Sequence, residues 1–272
     1  MSERNLERAA FLKSRRQRLT PEQVGLPSSS RRRIGSLRRE DVAWLADVGI
    51  TWYTWLEQGR PIKIAAETLA RVATALRLDA SESEYLRKLV RIGAKERPHW
   101  DEPVSERVQL LVASSTAGYA FVMGPRWDIL TWNQPFAELN GFSGDTNGDP
   151  VGFARNGLWL MFTHSSARRL FPNWEMIARG MVATFRVEYA DYVGDVGFKE
   201  LIDALERSSS EFASMWRDID ILSPMRWSVG AMRDPRTGDT QSFETVSLCI
   251  PENPGQTLVF YIPVRTAIAT PA

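Results

Sequence analysis

The chain has 272 residues, a formal net charge of +1, one cysteine and two histidines. At about 150 residues per domain this length points to two domains, and a composition that is 43% hydrophobic and 25% charged supplies a core and excludes a disordered chain. No apolar run nears the ~18 residues of a membrane span and Met1–Asn5 opens no signal peptide, so a cytoplasmic protein is expected. Cys249 alone excludes an internal disulfide framework or a cysteine zinc cluster, and His99 and His164 are too few to build a metal site.

The near-neutral total hides a division. Residues 1–98 hold 20 Lys+Arg against 12 Asp+Glu, whereas residues 99–272 hold 14 against 21. Only five of the basic residues are lysines, so the basic front is mostly arginine, whose planar fork suits phosphates and guanine edges. A basic front joined to an acidic rear points to nucleic acid at one end.

In chain order, the front reads as helices with short loops. An amphipathic segment runs from Leu6 to near Leu19, and Gly25 to Gly35, with Arg31, Arg32 and Arg33, has no apolar period and reads as a loop. Helices are predicted over 37–46, 51–57, 65–76 and 82–92, the last opened by Ser81 and Glu84 as a capping box. Residues 93–103 carry two prolines and no periodicity, which places a linker there between domains at 1–92 and 104–272. A short helix over 105–114 then precedes strands at 119–123 and 127–132, separated by Gly124-Pro125. Helices are predicted over 135–139, 156–162, 174–189 and 199–217, and strands over 226–232, 242–249 and 258–264. This order gives an α+β domain with an antiparallel sheet and helices on one face.

Residues 41–60 fit two helices joined by a tight turn. Val42, Ala46, Val48, Tyr53 and Leu56 form the shared interior and Ala43 lets the helices cross closely. Gly49, Ile50, Thr51, Trp52 and Trp55 are left outward on the second helix, the place from which a helix-turn-helix enters the major groove.

Several stretches carry a family resemblance. In the front half they are Phe11-Leu12, Arg15-Arg16, Arg18-Leu19-Thr20-Pro21-Glu22, Val24-Gly25-Leu26-Pro27, Arg31-Arg32-Arg33, Leu37-Arg38-Arg39-Glu40-Asp41-Val42-Ala43 and Leu56-Glu57-Gln58-Gly59-Arg60. In the rear half they are Arg126 to Asn133, Arg155-Asn156, Phe171-Pro172-Asn173-Trp174, Ser209-x-Glu211-Phe212-x-x-x-Trp216 and Pro254-Gly255-Gln256. Together these resemble MmyB-like transcription regulators of the Cro/repressor (XRE) class over nearly the whole chain. The resemblance implies an all-α five-helix DNA-binding domain followed by an α+β, PAS-like ligand-binding domain. The chain departs from the family pattern twice. Asp47 stands where the turn usually has glycine, and Trp52 and Trp55 stand where tyrosine and arginine are common. Neither tryptophan offers guanine a pair of donors; thymine methyls, sugars and a dimer contact are their alternatives.

The expected DNA-facing set is thus Ile50, Thr51, Trp52 and Trp55 toward bases, with Arg31, Arg32, Arg33, Arg38, Arg39 and Arg60 neutralising phosphates. For the rear domain, Trp132, Trp159, Phe162 and Trp174 are candidate lining of an apolar ligand site, with Asn133, Arg155 and Asn156 as its polar groups. Asn133, after a strand and before a helix, is placed to cap that helix, and Arg155 has a structural salt bridge as its alternative. The resemblance permits an elongated lipophilic ligand such as a fatty acid. Haem lacks an axial ligand, since His164 reads as a surface residue, and a photoactive flavin lacks its cysteine, since Cys249 in a late strand reads as a small core residue.

No required cofactor is expected. No nucleophile elbow, phosphate loop or acid/base pair is singled out, so no enzyme is expected either. The remaining alternative is a DNA-binding regulator whose rear domain is a protein-interaction or dimerisation module without a small ligand. Proteins of this helix-turn-helix class usually read paired half-sites about 34 Å apart, which implies a homodimer at the nucleoid.

Overall fold

A computed structural model describes residues 1–27, 35–90, 102–116, 118–142, 152–221, 230–233 and 237–264. Two units emerge: Met1–Gly93 with Ala183–Lys199 and Asp218–Ser223, and Ala94–Val182 with Glu200–Arg217 and Pro224–Ala272. Residues 183–199 and 218–223, which lie within the predicted rear domain, thus pack with the first unit.

The first unit contains α1 (Glu3–Arg18), a 3-10 turn (Glu22–Val24), α2 (Arg39–Leu45), α3 (Ile50–Glu57), α4 (Ala66–Ala75) and α5 (Ala80–Val90). The predicted Arg31–Arg33 loop lies outside the described residues. Phe11, Leu12, Val42, Ala46, Tyr53, Leu56, Val72, Tyr85 and Leu86 are fully buried in one core, joined by Ala190, Val193 and Ile221, while Val48 is half-buried against it. The capping box of α5 differs from the predicted one. Asp79 and Glu82 cap each other's backbone, with N–H donors at 2.8 and 3.0 Å from the two carboxylates. Ala80 already starts the helix, so Ser81 falls inside it, buried, and cannot take the extended conformation of a cap.

Three successive helices end the same way. Val48 N–H donates to the Ala43 carbonyl, Arg60 N–H to that of Trp55 and Leu78 N–H to that of Ala73. The residue before each donor is left-handed: Asp47 at φ 51°, Gly59 at 72° and Arg77 at 49°. At Gly59 the requirement is double, because an added Cβ would stand 2.5 Å from the Asn5 carbonyl oxygen.

The second unit is built on a five-stranded antiparallel sheet of order β2-β1-β5-β4-β3. Its strands are β1 (Tyr119–Met123), β2 (Ile129–Trp132), β3 (Gly230–Arg233), β4 (Thr240–Ile250) and β5 (Asn253–Pro263). β5 begins earlier than predicted, because the turn is only Pro251-Glu252 and Pro254 is accommodated beside a register shift at Cys249/Ile250. β2 begins later than predicted, since Trp127 is left-handed at φ 67° in the preceding turn. Residues 226–229 of the predicted third strand lie outside the described residues.

The helices of the rear half are α6 (Glu106–Ser114), α7 (Gln134–Asn140), α8 (Gly157–Thr163), α9 (Ser165–Leu170), α10 (Trp174–Tyr192), α11 (Val196–Ser208) and α12 (Ser210–Arg217). The single helix predicted over 199–217 is two, because the Ser209 hydroxyl accepts the Phe212 N–H at 3.1 Å and starts α12 afresh. The sheet face of Phe121 and Val259 packs with Phe136 of α7 and Leu160 of α8. Helices are not confined to that face: Val108 and Val112 of α6 pack with Ala120, Val122 and Leu258 on the other. Cys249 is exposed on β4 rather than a core residue, in a stretch of that strand, residues 247–249, that is exposed throughout.

Candidate DNA interface and ligand-binding region

The helix-turn-helix is α2 and α3, clamped by one carboxylate. Glu57 points inward from α3 with a fully buried side chain, and Arg16 of α1 donates to both its oxygens, at 2.6 and 2.8 Å. Arg39 of α2 adds a third bond at 2.9 Å. Burial alone would raise the Glu57 carboxyl's pKa, but the bonds and charges of the two arginines outweigh it and hold the group below its ordinary value. Burial, then the Glu57 charge, push the nearby Tyr53 phenol well up. The clamp fixes α3 against α1 and α2, so the outer face of α3 is presented rigidly.

That face carries Ile50 at 44% exposure, exposed Thr51 and Trp55 at 41%. Trp52, placed outward by the sequence pattern, is instead half-buried against the core. Arg60 holds its guanidinium 5.7 Å from the centre of the Trp55 ring. Arg38 is exposed at the N-cap of α2, whereas Arg39 is tied to Glu57. Arg31, Arg32 and Arg33 lie outside the described residues. Sequence reasoning overlooked Arg16 and Trp44, the latter 72% exposed on α2. Only an outward break in the apolar spacing of α2 could have signalled Trp44.

In the second unit the family landmarks are mostly occupied by backbone. The Asn133 side-chain oxygen accepts the N–H groups of Ala120 and Phe136, both at 3.1 Å, and its amide donates to the carbonyls of Ser115 and Gly118. Asn156 does the same at the start of α8: its oxygen accepts Leu158 and Trp159 N–H, and its amide donates to the Arg126 carbonyl and Asp128. Arg126 and Asp128 are paired at 2.8 Å, and buried Gln256 donates to the Glu102 carbonyl at 2.7 Å. Asn133 and Asn156 thus sit at the starts of α7 and α8 and satisfy backbone amides exposed there.

Trp132 and Arg155 are brought together, with the guanidinium 4.7 Å from the ring centre. A run of rings continues from Trp132 to Phe142 at 5.0 Å, Phe142 to Phe136 at 5.9 Å, Phe136 to Phe121 at 4.4 Å and Phe121 to Tyr261 at 5.4 Å. Burial pushes the Tyr261 phenol's pKa far up. Trp159 contacts Phe153, while Phe162 and Trp174 belong to another cluster with Phe212. The Trp174 indole N–H donates to the Met161 carbonyl at 2.9 Å and Arg168 covers its ring. His164 is exposed at the end of α8. Among the described residues no group of three or more His, Cys, Asp or Glu could hold a metal ion, and no helix is long and apolar enough to cross a membrane.

Comparison with known proteins places modules on both units. A helix-turn-helix domain model matches residues 8–86, and the MmyB-like transcription regulator ligand binding domain model matches residues 104–270. No curated protein matches the chain. The outward face of α3 and the apolar region beside Arg155 therefore lie in modules for binding DNA and for binding a ligand. With more than half of its length matched by the second model, the chain belongs to the MmyB-like transcription regulators.

Proposed function

We propose that the protein binds its operator as a homodimer and that its second unit takes up an elongated lipophilic molecule with an anionic end, of the fatty-acid class, which alters DNA binding. The observation that carries this reading is the run of rings from Tyr261 to Trp132 ending on Arg155, whose guanidinium has no acidic partner among the described residues. A half-buried cation at the end of an apolar region is stabilised by an anion, and the rings suit a hydrocarbon chain. In this reading no catalytic step, required cofactor or metal enters, and the protein acts in the cytoplasm at the nucleoid, with residues 93–103 linking the two activities.

The ligand must bind the DNA-competent and DNA-incompetent arrangements with different affinity, since equal affinity shifts nothing. Exposed Leu110 and Leu111 on α6, at 70% and 53%, support dimerisation through the second unit, which is common to this reading and to a second one, a rear module without a small ligand. Mass spectrometry of denatured purified protein, with thermal shifts on adding fatty acids, separates the two. A co-purifying lipophilic anion is expected; no bound molecule and no shift would overturn the ligand. A mobility-shift assay on genomic fragments, with and without lipid extract, checks that the extract changes DNA binding.

A further inference from the structure

The geometry points to thymine C5-methyl groups as the base feature that α3 reads. This inference rests on the DNA-binding reading and concerns what is recognised. Helix-turn-helix proteins bring the N-terminal residues of the second helix to base edges. Guanine and adenine are distinguished there chiefly by paired polar contacts from Arg, Lys, Asn or Gln. From Ile50 to Glu57, α3 has none of these side chains, and its one charged residue, Glu57, is buried beneath Arg16 and Arg39. What α3 exposes is the branched chain of Ile50, the methyl-bearing Thr51 and the Trp55 ring.

In the major groove, thymine's C5 methyl is the feature complementary to such atoms. The same side chains disfavour G·C pairs, because apolar atoms laid over guanine O6 and N7 or the cytosine amine exclude water without replacing its hydrogen bonds. Cations stand at the margin: Arg60 beside Trp55 and Arg38 at the start of α2, both exposed. The arrangement is an apolar reading face flanked by phosphate-seeking groups. Gln58, the amide nearest this face, is the C-cap of α3, about two turns beyond Ile50.

The test uses the full chain and duplexes it enriches from a random-sequence pool. The enriched duplexes are resynthesised with deoxyuridine in place of thymidine, which removes the C5 methyl and leaves pairing intact. Affinity is expected to fall about fourfold for each contacted methyl removed, with no change when the replacement lies outside the enriched positions. Ile50→Ala and Trp55→Ala alter exposed residues; each should lower the preference for thymidine over deoxyuridine while circular dichroism and melting temperature stay as in the parent chain. Equal binding to thymidine and deoxyuridine duplexes overturns methyl reading while leaving operator binding intact, as does a preference lost only in Gln58→Ala. A chain that enriches no sequence removes the operator reading itself, and this inference with it.

Discussion

The two units use their distinctive residues in opposite ways. In the helix-turn-helix the inner residues, Glu57 above all, hold the helices together, and the outer residues of α3 remain free to meet a partner. In the sheet unit the distinctive polar residues Asn133, Asn156 and Gln256 are engaged in capping and cross-linking backbone, and Asp128 is bonded to Arg126 and Asn156. In the proposed function, ligand recognition there is assigned to rings and to one guanidinium. The family stretches thus mark much of the fold in both units: those of the first include Arg16, Arg39 and Glu57 of the clamp and leave out Ile50, Thr51 and Trp55.

The comparison breaks first at Glu57. Glu57→Ala leaves Arg16 without its acidic partner in a buried site and should destabilise the first unit by about 3–5 kcal/mol in chemical denaturation; a loss below 1 kcal/mol would mean that the clamp is dispensable. Asn133→Ala and Asn156→Ala should each lower the stability of the second unit by about 2–3 kcal/mol, since each removes a helix cap and leaves buried amides unpaired. If either variant kept its melting temperature and lost only ligand, the division between fold and recognition would fail.

Arg155→Met sharpens the other side. It should weaken binding of a fatty acid relative to the matching fatty alcohol by about tenfold, as expected for loss of a charge-assisted bond, with little change in melting. Acidification gives a smaller effect. Because the folded-state pKa of Glu57 lies below the ordinary 4.5, its stabilising contribution is complete above that value and is lost as pH falls through the depressed one. Denaturation of the first unit measured between pH 6 and 3 should therefore weaken only at the acid end, and less so in Glu57→Gln. Smallest of all, Trp55→Ala should alter stability by no more than about 0.5 kcal/mol, its consequence being confined to DNA.

Much of the first unit was legible in the sequence because helical spacing alone separates Val42, Ala46, Tyr53 and Leu56 from Ile50 and Thr51. The left-handed turn at Asp47 was legible from the family resemblance, which puts a glycine at that position. The pairing of Arg39 with Glu57 was not, since it joins residues 18 positions apart across two helices, and nothing in composition distinguishes it from a phosphate contact. In the second unit the strands were legible as short runs bounded by turn signals such as Gly124-Pro125, but the run of rings was not. Phe121 and Tyr261 meet because β1 lies beside β5, a pairing that spans more than half of the chain. Asn133 was legible as a cap in kind, whereas Asn156 was read only as a polar group of the ligand site; the four bonds of each depend on strands and turns brought close only by folding.

The three matching helix ends carry one more consequence, for heat tolerance. Two of them place Asp47 and Arg77 in a conformation that costs an L residue about 1 kcal/mol and glycine much less. Asp47→Gly and Arg77→Gly should thus raise the melting temperature of the unit by a few degrees without touching α3. The natural chain leaves that margin unused, which makes these two turns the places to harden the protein while its reading of DNA is held constant.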